Sequence, residues 1–91
     1  MNKSQLIAVV AAELELPKVK VAAVINTVID QVTAVVSEGE TVSLTGFGTF
    51  SSRERAERQG RNPQSGEALV IPARKAPHFK PGRAFKGIVN A

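Results

Sequence analysis

The chain has 91 residues, 12 of them Lys or Arg and 8 Asp or Glu, with a formal net charge of +4. A chain of this length forms one domain with a thin hydrophobic core, because folding buries only about 60% of its unfolded surface. It has no cysteine, which excludes disulfides and thiolate zinc sites. Its longest uninterrupted apolar run, 6–12, is much shorter than the roughly 20 residues of a membrane span. Since an export signal pattern is also missing, we expect a soluble protein.

The basic charge is concentrated in the second half of the chain. Residues 1–45 have three basic and five acidic side chains, a net charge of −2, whereas residues 46–91 have nine basic and three acidic side chains, a net charge of +6. Such a one-sided distribution indicates a polyanionic partner, either nucleic acid or an anionic membrane surface.

The first 38 residues show the pattern of two helices. Asn2 and Gln5 form a capping-box pattern, and apolar residues follow at helical spacing. We expect the break between the helices at residues 15–16, because Pro17 disfavours a helical residue before it and suits a first helical position. Gly39 is the expected stop of the second helix after Glu38.

The second helix has a composition that requires extensive packing. Its apolar positions step by four and three residues, but eleven of the 22 residues from 17 to 38 are Val, Ile or Thr. That composition costs about 5 kcal/mol of helix propensity relative to alanine. We therefore predict burial on more than one side, as in a dimer. The residues predicted for the dimer core are Val28, Val32, Phe47, Phe50 and Phe79.

Two hairpins are predicted after Gly39. In the first, Val42 and Leu44 are expected to face inward, residues 46–48 to turn, and a second strand to continue through Phe50. The second begins near residue 53, has its loop at 60–66 and returns through "ALVIPARK". With about nine residues per strand it extends roughly 30 Å, the length of an arm. Pro72 in the return strand is compatible with the edge of a two-stranded ribbon.

The chain is predicted to end in a short third helix with Phe85, Ile88 and Val89 as its apolar contacts. The fold class is then α+β in a single domain, 1–91. Residues 1–52 and 76–91 are predicted to form the dimerisation body, and 53–75 the β-arm that binds a nucleic acid.

Catalytic and metal-binding patterns are weak in this sequence. The only histidine, His78, lies between Pro77 and Phe79, and there is no cysteine to complete a metal site with it. No nucleophile stands with a base, and neither a phosphate-binding glycine loop nor a dinucleotide fingerprint occurs. We predict no catalytic residues, no metal and no cofactor, and hence a protein that is not an enzyme.

The stretch "GFGTF", residues 46–50, has two interpretations. It is either a tight turn with two core phenylalanines or part of the aromatic strand of an RNA-recognition motif, in which exposed rings stack on bases. The second is less compatible with its context, because the chain begins with helices and Thr45 occupies the position of a basic residue.

The spaced arginines at 53, 55, 58 and 61 are either a solvated face or a nucleic-acid contact. The ribbon has little apolar surface, and an isolated two-stranded hairpin is marginal in water, so a ligand is needed to order it. A slim tip with Gly60, Ser65 and Gly66 fits a groove about 6 Å wide, the minor groove of DNA, better than a helix does.

The combination of "GFGTF", Arg55, Arg58 and "GRNPQSG" in this order resembles the HU and integration host factor family of bacterial DNA-bending proteins. The resemblance covers the whole chain and is stronger to HU. Ser65 stands where the family usually has threonine, which preserves the hydroxyl. Pro17 stands where a polar cap is common, and it affects only the start of the second helix.

The resemblance implies a dimer with an intertwined helical body, a β-sheet saddle and two long β-ribbon arms that enter the minor groove. Pro63 is then expected to intercalate between base pairs, as is known for this family. The DNA-binding residues that it implies in the arm are Arg53, Arg55, Arg58, Arg61, Asn62, Pro63, Gln64, Arg74 and Lys75. Those on the body are Lys3, Lys80, Arg83 and Lys86.

The expected function is sequence-tolerant wrapping and bending of double-stranded DNA, with a preference for bent, nicked or gapped duplex, in the nucleoid of the bacterial cytoplasm. A homodimer is favoured, and a heterodimer remains open. The alternatives are a site-specific subunit like integration host factor and an RNA-binding module. A membrane partner is not expected.

Overall fold

The computed structural model describes residues 1–91, except for the side chains of Arg58 and Ile71. Along this backbone the elements are α1 (Lys3–Leu14), α2 (Lys18–Ser37), β1 (Val42–Leu44), β2 (Gly48–Arg55), β3 (Arg58–Arg61), β4 (Ala68–Ile71), β5 (Arg74–Pro81) and α3 (Arg83–Val89). The order agrees with the α+β class expected from the sequence. Residues 1–34 and 35–91 form two compact units, and the second contains every strand and α3.

Helix α1 begins and ends where the sequence predicts. Asn2 Oδ1 accepts a hydrogen bond from the Gln5 backbone N–H at 2.9 Å, and Gln5 Oε1 accepts one from the Asn2 N–H at 2.9 Å. These two bonds form the predicted capping box. At the other end Glu15 has a left-handed backbone with φ 54°, and its N–H donates to carbonyls in the last turn. The predicted break at 15–16 is confirmed.

Helix α2 begins one residue later than predicted. The Pro17 carbonyl accepts a hydrogen bond from the Val21 N–H at 3.2 Å. Pro17 is therefore the cap rather than the first helical residue, because its carbonyl already serves the first turn. The helix ends at Ser37, and Gly39 has φ 86° with its N–H on the Val36 carbonyl at 3.0 Å. The predicted glycine stop is confirmed, but the helix ends one residue before the predicted Glu38.

The apolar stripe of α2 is only partly covered in the single chain. Val21 is only 3% exposed, but Val28 is 52% exposed, and Ile25, Val32 and Val35 are half-buried. By length and composition alone α2 could cross a membrane, a property that core helices of soluble proteins share. A helix of this β-branched composition is stabilised mainly by packing. Its exposed apolar surface is therefore expected to pack against another subunit.

The strands of the second unit form one long interrupted hairpin beside a short strand. In the three-stranded sheet the order is β1-β2-β5, and β2 pairs antiparallel with β5 from Gly48 opposite Pro81 to Arg55 opposite Arg74. The β3–β4 ladder then runs from Arg58 opposite Ile71 to the end of the ribbon. Two residues intervene on each side between the ladders, so the register continues without a slip.

The interruption corrects the prediction for Pro72. It lies between β4 and β5 rather than inside a strand, because proline has no N–H to donate to a ladder. Strand β2 runs through residues 52 and 53, and β5 runs through 75 and 76, so the ladder itself does not mark the predicted division between body and arm. That division remains a prediction.

Four phenylalanines form the aromatic cluster of the second unit: Phe47, Phe50, Phe79 and Phe85. The rings of Phe50 and Phe79 have centroids 4.7 Å apart, and Phe47 stacks on Phe85 at 5.0 Å with an interplanar angle of 9°. Phe47 is nevertheless 44% exposed. The cluster agrees with the interpretation of "GFGTF" as a turn with two packed phenylalanines, and its place in a dimer core stays a prediction.

Backbone hydrogen bonds attach the "GFGTF" turn to the start of α3. The Gly82 N–H donates to the Phe47 carbonyl at 2.8 Å, and the Phe85 N–H donates to the Gly46 carbonyl at 3.2 Å. Gly46 has φ 83°, a left-handed conformation that glycine adopts without strain. The turn therefore fixes the position of α3 against the sheet.

Three apolar side chains are more exposed than the sequence suggested. Leu44, predicted to face inward, is 41% exposed, and in α3 only Phe85 joins the cluster, while Ile88 is 77% and Val89 67% exposed. A three-residue strand and a seven-residue helix have too few neighbours in one chain to cover these side chains.

Few apolar side chains are buried in the part of the chain that the structure describes. The buried apolar residues are Ala11 and Val21 among the described side chains. A core this small does not stabilise a folded monomer.

We expect the protein to be an obligate dimer, because the exposed apolar residues of α2 and α3 need a second subunit to cover them. Its thermal midpoint should rise with protein concentration, as for any fold stabilised by association. Sedimentation velocity at micromolar concentration, with circular dichroism in the same buffer, checks this. A folded monomer would contradict it.

Gly48 is required by the close approach of β2 to β5. A Cβ at Gly48 would lie 2.5 Å from Phe79 Cε1 and 2.7 Å from the Lys80 carbonyl oxygen. We expect Gly48→Ala to destabilise the fold by about 1–3 kcal/mol through overpacking. The control is Gly87→Ala in α3, where a Cβ meets nothing within 4 Å, and which should stabilise by up to about 1 kcal/mol. Chemical unfolding measures both, and effects of the same sign would refute overpacking as the cause.

Candidate nucleic-acid interface

The register of β2 with β5 gives the three-stranded sheet two chemically different faces. Phe50 and Phe79 are directly opposite each other and in ring contact, so they share one face. Since side chains alternate along a strand, residues 49, 51, 53 and 55 of β2 and 74, 76, 78 and 80 of β5 share the other. We call this second side the basic face. Its polar members are Ser43, Thr49, Ser51, Arg53, Arg55, Arg74, His78 and Lys80.

A group of hydroxyls lies on the basic face and was missed by the sequence analysis. Thr49 Oγ1 donates to Ser43 Oγ at 3.2 Å across the β1–β2 pair. Ser51 lies directly opposite His78, and Thr49 directly opposite Lys80. Hydroxyls beside cations are common phosphate-contacting groups. The alternation of Thr, Ser, Arg and Arg at every second position from 49 to 55 is the sequence signal that predicts this face.

Lys75 is separated from the other arm cations of the sheet. It lies on the same face as Phe79 and directly opposite Glu54. A carboxylate in this cross-strand position offsets the charge of the lysine. The structure therefore brings Arg53, Arg55 and Arg74 together with Lys80 and leaves Lys75 on the other side.

The cations of the basic face have no partners among the side chains that the structure describes. Arg53, Arg55, Arg74 and Lys80 are exposed. No ion pair or hydrogen bond from these side chains occurs within the described part of the chain, where basic side-chain donors are used only by Lys3. Unpaired, solvated cations arranged on one face form a ready site for a polyanion.

The tip of the ribbon is a compact loop of six residues, 62–67, between β3 and β4. The Asn62 N–H donates to the Glu67 carbonyl at 2.8 Å, and the Gly66 N–H donates to the Asn62 carbonyl at 2.7 Å. Gly66 has φ 74°, which favours glycine there. Ser65 Oγ accepts a weaker bond from the Glu67 N–H at 3.3 Å. The loop is therefore closed by its own backbone.

Pro63 is exposed at this tip. Its neighbour Asn62 is half-buried, and Asn62 Oδ1 accepts a hydrogen bond from the Gln64 N–H at 2.9 Å, spanning Pro63. This Asx turn fixes the proline ring in place. The Asn62 side chain, predicted at the DNA, thus has a structural partner for its oxygen and keeps its amide N–H groups for a ligand. Gln64 is exposed beside it.

Four further predicted cations belong to the ribbon and to α3. Arg61 is exposed in the ribbon opposite Ala68, and the side chain of Arg58 lies outside the described residues. Arg83 and Lys86 are exposed and three residues apart on α3, which puts them on one side of the helix.

Lys3 differs from the other candidate cations because it has an internal partner. Its Nζ donates to Asn26 Oδ1 at 2.8 Å, which links α1 to α2 in the first unit. The acceptor is a neutral amide, so the lysine keeps its full charge while its position is defined. Nothing in the sequence pattern alone predicts this contact.

No metal-binding group is found among the described residues: three or more His, Cys, Asp or Glu side chains do not come together there. The arrangement that the structure does provide is a basic, hydroxyl-lined sheet face, continued by a ribbon with an exposed proline at its end. Such a surface binds anions through charge and hydrogen bonds.

Comparison with known proteins agrees with this interface. A family model described as "Bacterial DNA-binding protein" matches residues 1–90. The DNA-binding protein HU of Xylella fastidiosa is 48% identical over 91 residues, which cover 100% of this chain and 97% of that protein. The DNA-binding protein HU-beta 2 of Neisseria meningitidis is 50% identical over 90 residues, or 99% of each chain.

A solved structure gives the same result for the fold. The Anabaena HU protein, solved in a cocrystal with DNA, superposes on this chain with a TM-score of 0.88 at 40% identity. The match covers 98% of this chain and 97% of that one. Sequence and fold match over nearly the whole length, including the ribbon and its tip. The chain is therefore a member of the HU family of bacterial DNA-binding proteins.

Proposed function

We propose that this protein is a sequence-tolerant architectural DNA-binding protein that works as a dimer and bends duplex DNA between two arms. The observation that carries the proposal is the basic face, where Arg53, Arg55, Arg74 and Lys80 are exposed on one side of the sheet and have no partner among the described side chains. Relatives named as DNA-binding proteins and the HU–DNA cocrystal support DNA as the polyanion.

The basic face neutralises backbone phosphates. Its arginines and Lys80 displace condensed counterions from the duplex, which gives affinity without sequence information. The hydroxyls of Ser43, Thr49 and Ser51 add hydrogen bonds to phosphate oxygens beside these cations. On the remainder of the body, Lys3, Arg83 and Lys86 contact the flanking phosphates once the duplex bends back.

The ribbon tip acts in the minor groove. Pro63 is an apolar ring without an N–H to desolvate, and the Asx turn around it holds the ring in one orientation. It inserts between base pairs and replaces part of the stacking at an opened step. Arg61 and Gln64, both exposed beside it, contact the groove floor. Because A·T and T·A present the same acceptors there, sequence preference is weak.

The two arms of a dimer each open one step, and the bend between them compacts the DNA. This role places the protein on the nucleoid in the bacterial cytoplasm. Assembly of two identical chains is the simplest source of two arms, and the exposed apolar residues Val28, Ile88 and Val89 support it.

The experiment that tests the proposal measures binding of the purified protein to linear, nicked and gapped duplexes of one arbitrary sequence, with RNA of equal length as competitor. A nuclease footprint on a genomic DNA fragment is recorded with the same protein. We expect a dimer that prefers the interrupted duplexes and leaves no single protected site in a nuclease footprint. Protection of one defined site would favour the site-specific alternative. Displacement by RNA as effective as by DNA would favour the RNA-binding one.

Pro63→Ala should reduce DNA bending and lower the preference for nicked over intact duplex by about tenfold, because the wedge is removed while the arginines still bind phosphates. The slope of log K against log salt should stay nearly unchanged. Fluorescence energy transfer across an end-labelled duplex measures the bend. The matched control is Pro72→Ala, which removes a proline from the same arm but not from its tip and should retain bending. Wild-type bending by Pro63→Ala would refute the wedge.

Arg55→Ala should reduce the magnitude of the slope of log K against log salt by about 0.9 for each phosphate that the variant no longer neutralises. For a dimer that uses both arms, the reduction is about 1.8. Lys75→Ala removes the same charge from the other face, opposite Glu54, and should change the slope less. Titrations of one duplex at several salt concentrations give both values. Equal slopes for the two variants would show that the basic face is not the phosphate-binding side.

A further inference from the structure

Arg55 and Arg74 are directly opposite each other in the last pair of the β2–β5 ladder, and both are on the basic face. Side chains in such a cross-strand pair have Cβ atoms about 5 Å apart. We propose that these two arginines form a single phosphate-binding site, in which one backbone phosphodiester is held between two guanidinium groups from neighbouring strands. The inference rests on the proposed function and deepens it, since it assigns one shared phosphate to this pair.

The neighbouring pairs of the ladder show that this arrangement is local. One step earlier, Glu54 faces Lys75, so opposite charges meet on the other side of the sheet. Two steps earlier, Arg53 faces Ala76, so that arginine meets no charge across the strand. Like charges placed directly opposite destabilise a ladder. The pair of arginines is therefore unfavourable in the free protein and becomes favourable when an anion lies between them.

No internal carboxylate performs that task among the described side chains. Both arginines are exposed, and neither makes an ion pair or a hydrogen bond there. Of the acidic residues nearest in sequence, Glu54 belongs to the opposite face, and Glu57 follows the end of β2 in the interruption of the ribbon. The ligand has to come from outside the chain.

Guanidinium chemistry specifies the kind of anion. Each guanidinium is a planar fork of N–H donors that matches the two non-bridging oxygens of a phosphate. Two forks approaching from adjacent strands can share these oxygens, since each oxygen accepts more than one hydrogen bond. One phosphodiester then offsets half of the paired charge and bridges β2 to β5.

The site also lies where such a bridge has a structural effect. Beyond this pair the ladder stops for two residues on each strand before it resumes at Arg58 opposite Ile71. A phosphate held by both strands adds a link at the point where backbone hydrogen bonds between them end. Binding of DNA thereby stabilises the junction between the sheet and the outer ribbon.

A double-mutant cycle on DNA affinity tests the shared site. Arg55→Ala and Arg74→Ala should each weaken binding. Each variant is described by its fold-increase in Kd over the wild type. The fold-increase of the double variant should be at least about threefold smaller than the product of the two single fold-increases, because either substitution alone already breaks the shared site. The matched control cycle combines Arg53→Ala with Arg74→Ala and should be multiplicative within about twofold. Multiplicative decreases in the first cycle would mean two independent phosphates and overturn the proposal.

A second measurement without DNA uses inorganic phosphate as the probe. Replacing chloride by phosphate at constant ionic strength should raise the thermal midpoint of the wild type and of Arg53→Ala more than that of Arg55→Ala or Arg74→Ala. An equal rise in all four proteins would indicate a general salt effect and overturn the clamp. Circular dichroism and sedimentation confirm that each variant is a folded dimer.

The two measurements separate this inference from the proposed function. If the wild type fails to bend or bind duplex DNA, the proposed function is wrong, whatever the phosphate assay gives. If the wild type binds DNA but the first cycle is multiplicative and the phosphate effect is general, only the clamp is wrong.

Discussion

The antiparallel pairing of β2 with β5 determines nearly everything that this protein presents to a ligand. Its register places Phe50 against Phe79, which fixes one face of the sheet as apolar, and the pleat then assigns every second residue to the other face. A shift of one residue in either strand would put arginines among the phenylalanines. Gly48 keeps the two strands close at the base, since no side chain fits between it and Phe79.

The same pairing explains how a chain with so small a core of its own has a defined binding surface. Only two apolar side chains are buried among those described, and most order in the second unit comes from ladder hydrogen bonds and the aromatic cluster. A surface of this kind can be rich in unpaired cations because it adds little to a core. We expect its stability to depend instead on association, with a second chain for the helices and, under the proposed function, with DNA for the ribbon.

Much of this organisation could be predicted from the sequence because its signals are local. The capping box at Asn2, the break before Pro17, the glycine stop at Gly39 and the turn in "GFGTF" each depend on residues within a few positions of one another. The family resemblance added the DNA-binding arm at residues 53–75 and the intercalating role of Pro63, which stay predictions. What could not be predicted depends on contacts between distant segments: the bond from Lys3 to Asn26, the separation of Lys75 from the other cations, and the opposition of Arg55 and Arg74. A linear pattern of arginines does not reveal which strand residue lies across from each one, so the opposed arginines appear only once the register is known.

The open edges of the ribbon have a consequence for the behaviour of the protein at high concentration. Strands β3 and β4 form a two-stranded sheet with unpaired edges, and Leu69 and Val70 are 46% and 62% exposed. Exposed apolar edge strands tend to pair with one another and start aggregation. Residues 53–75 contain six basic and three acidic side chains, a net charge of +3, so two arms repel each other, and Pro72 interrupts any continuous edge. The charge that we propose attracts DNA therefore also keeps free molecules apart. If phosphates bind there and neutralise it, this protective effect is lost where neighbouring proteins are crowded along one duplex.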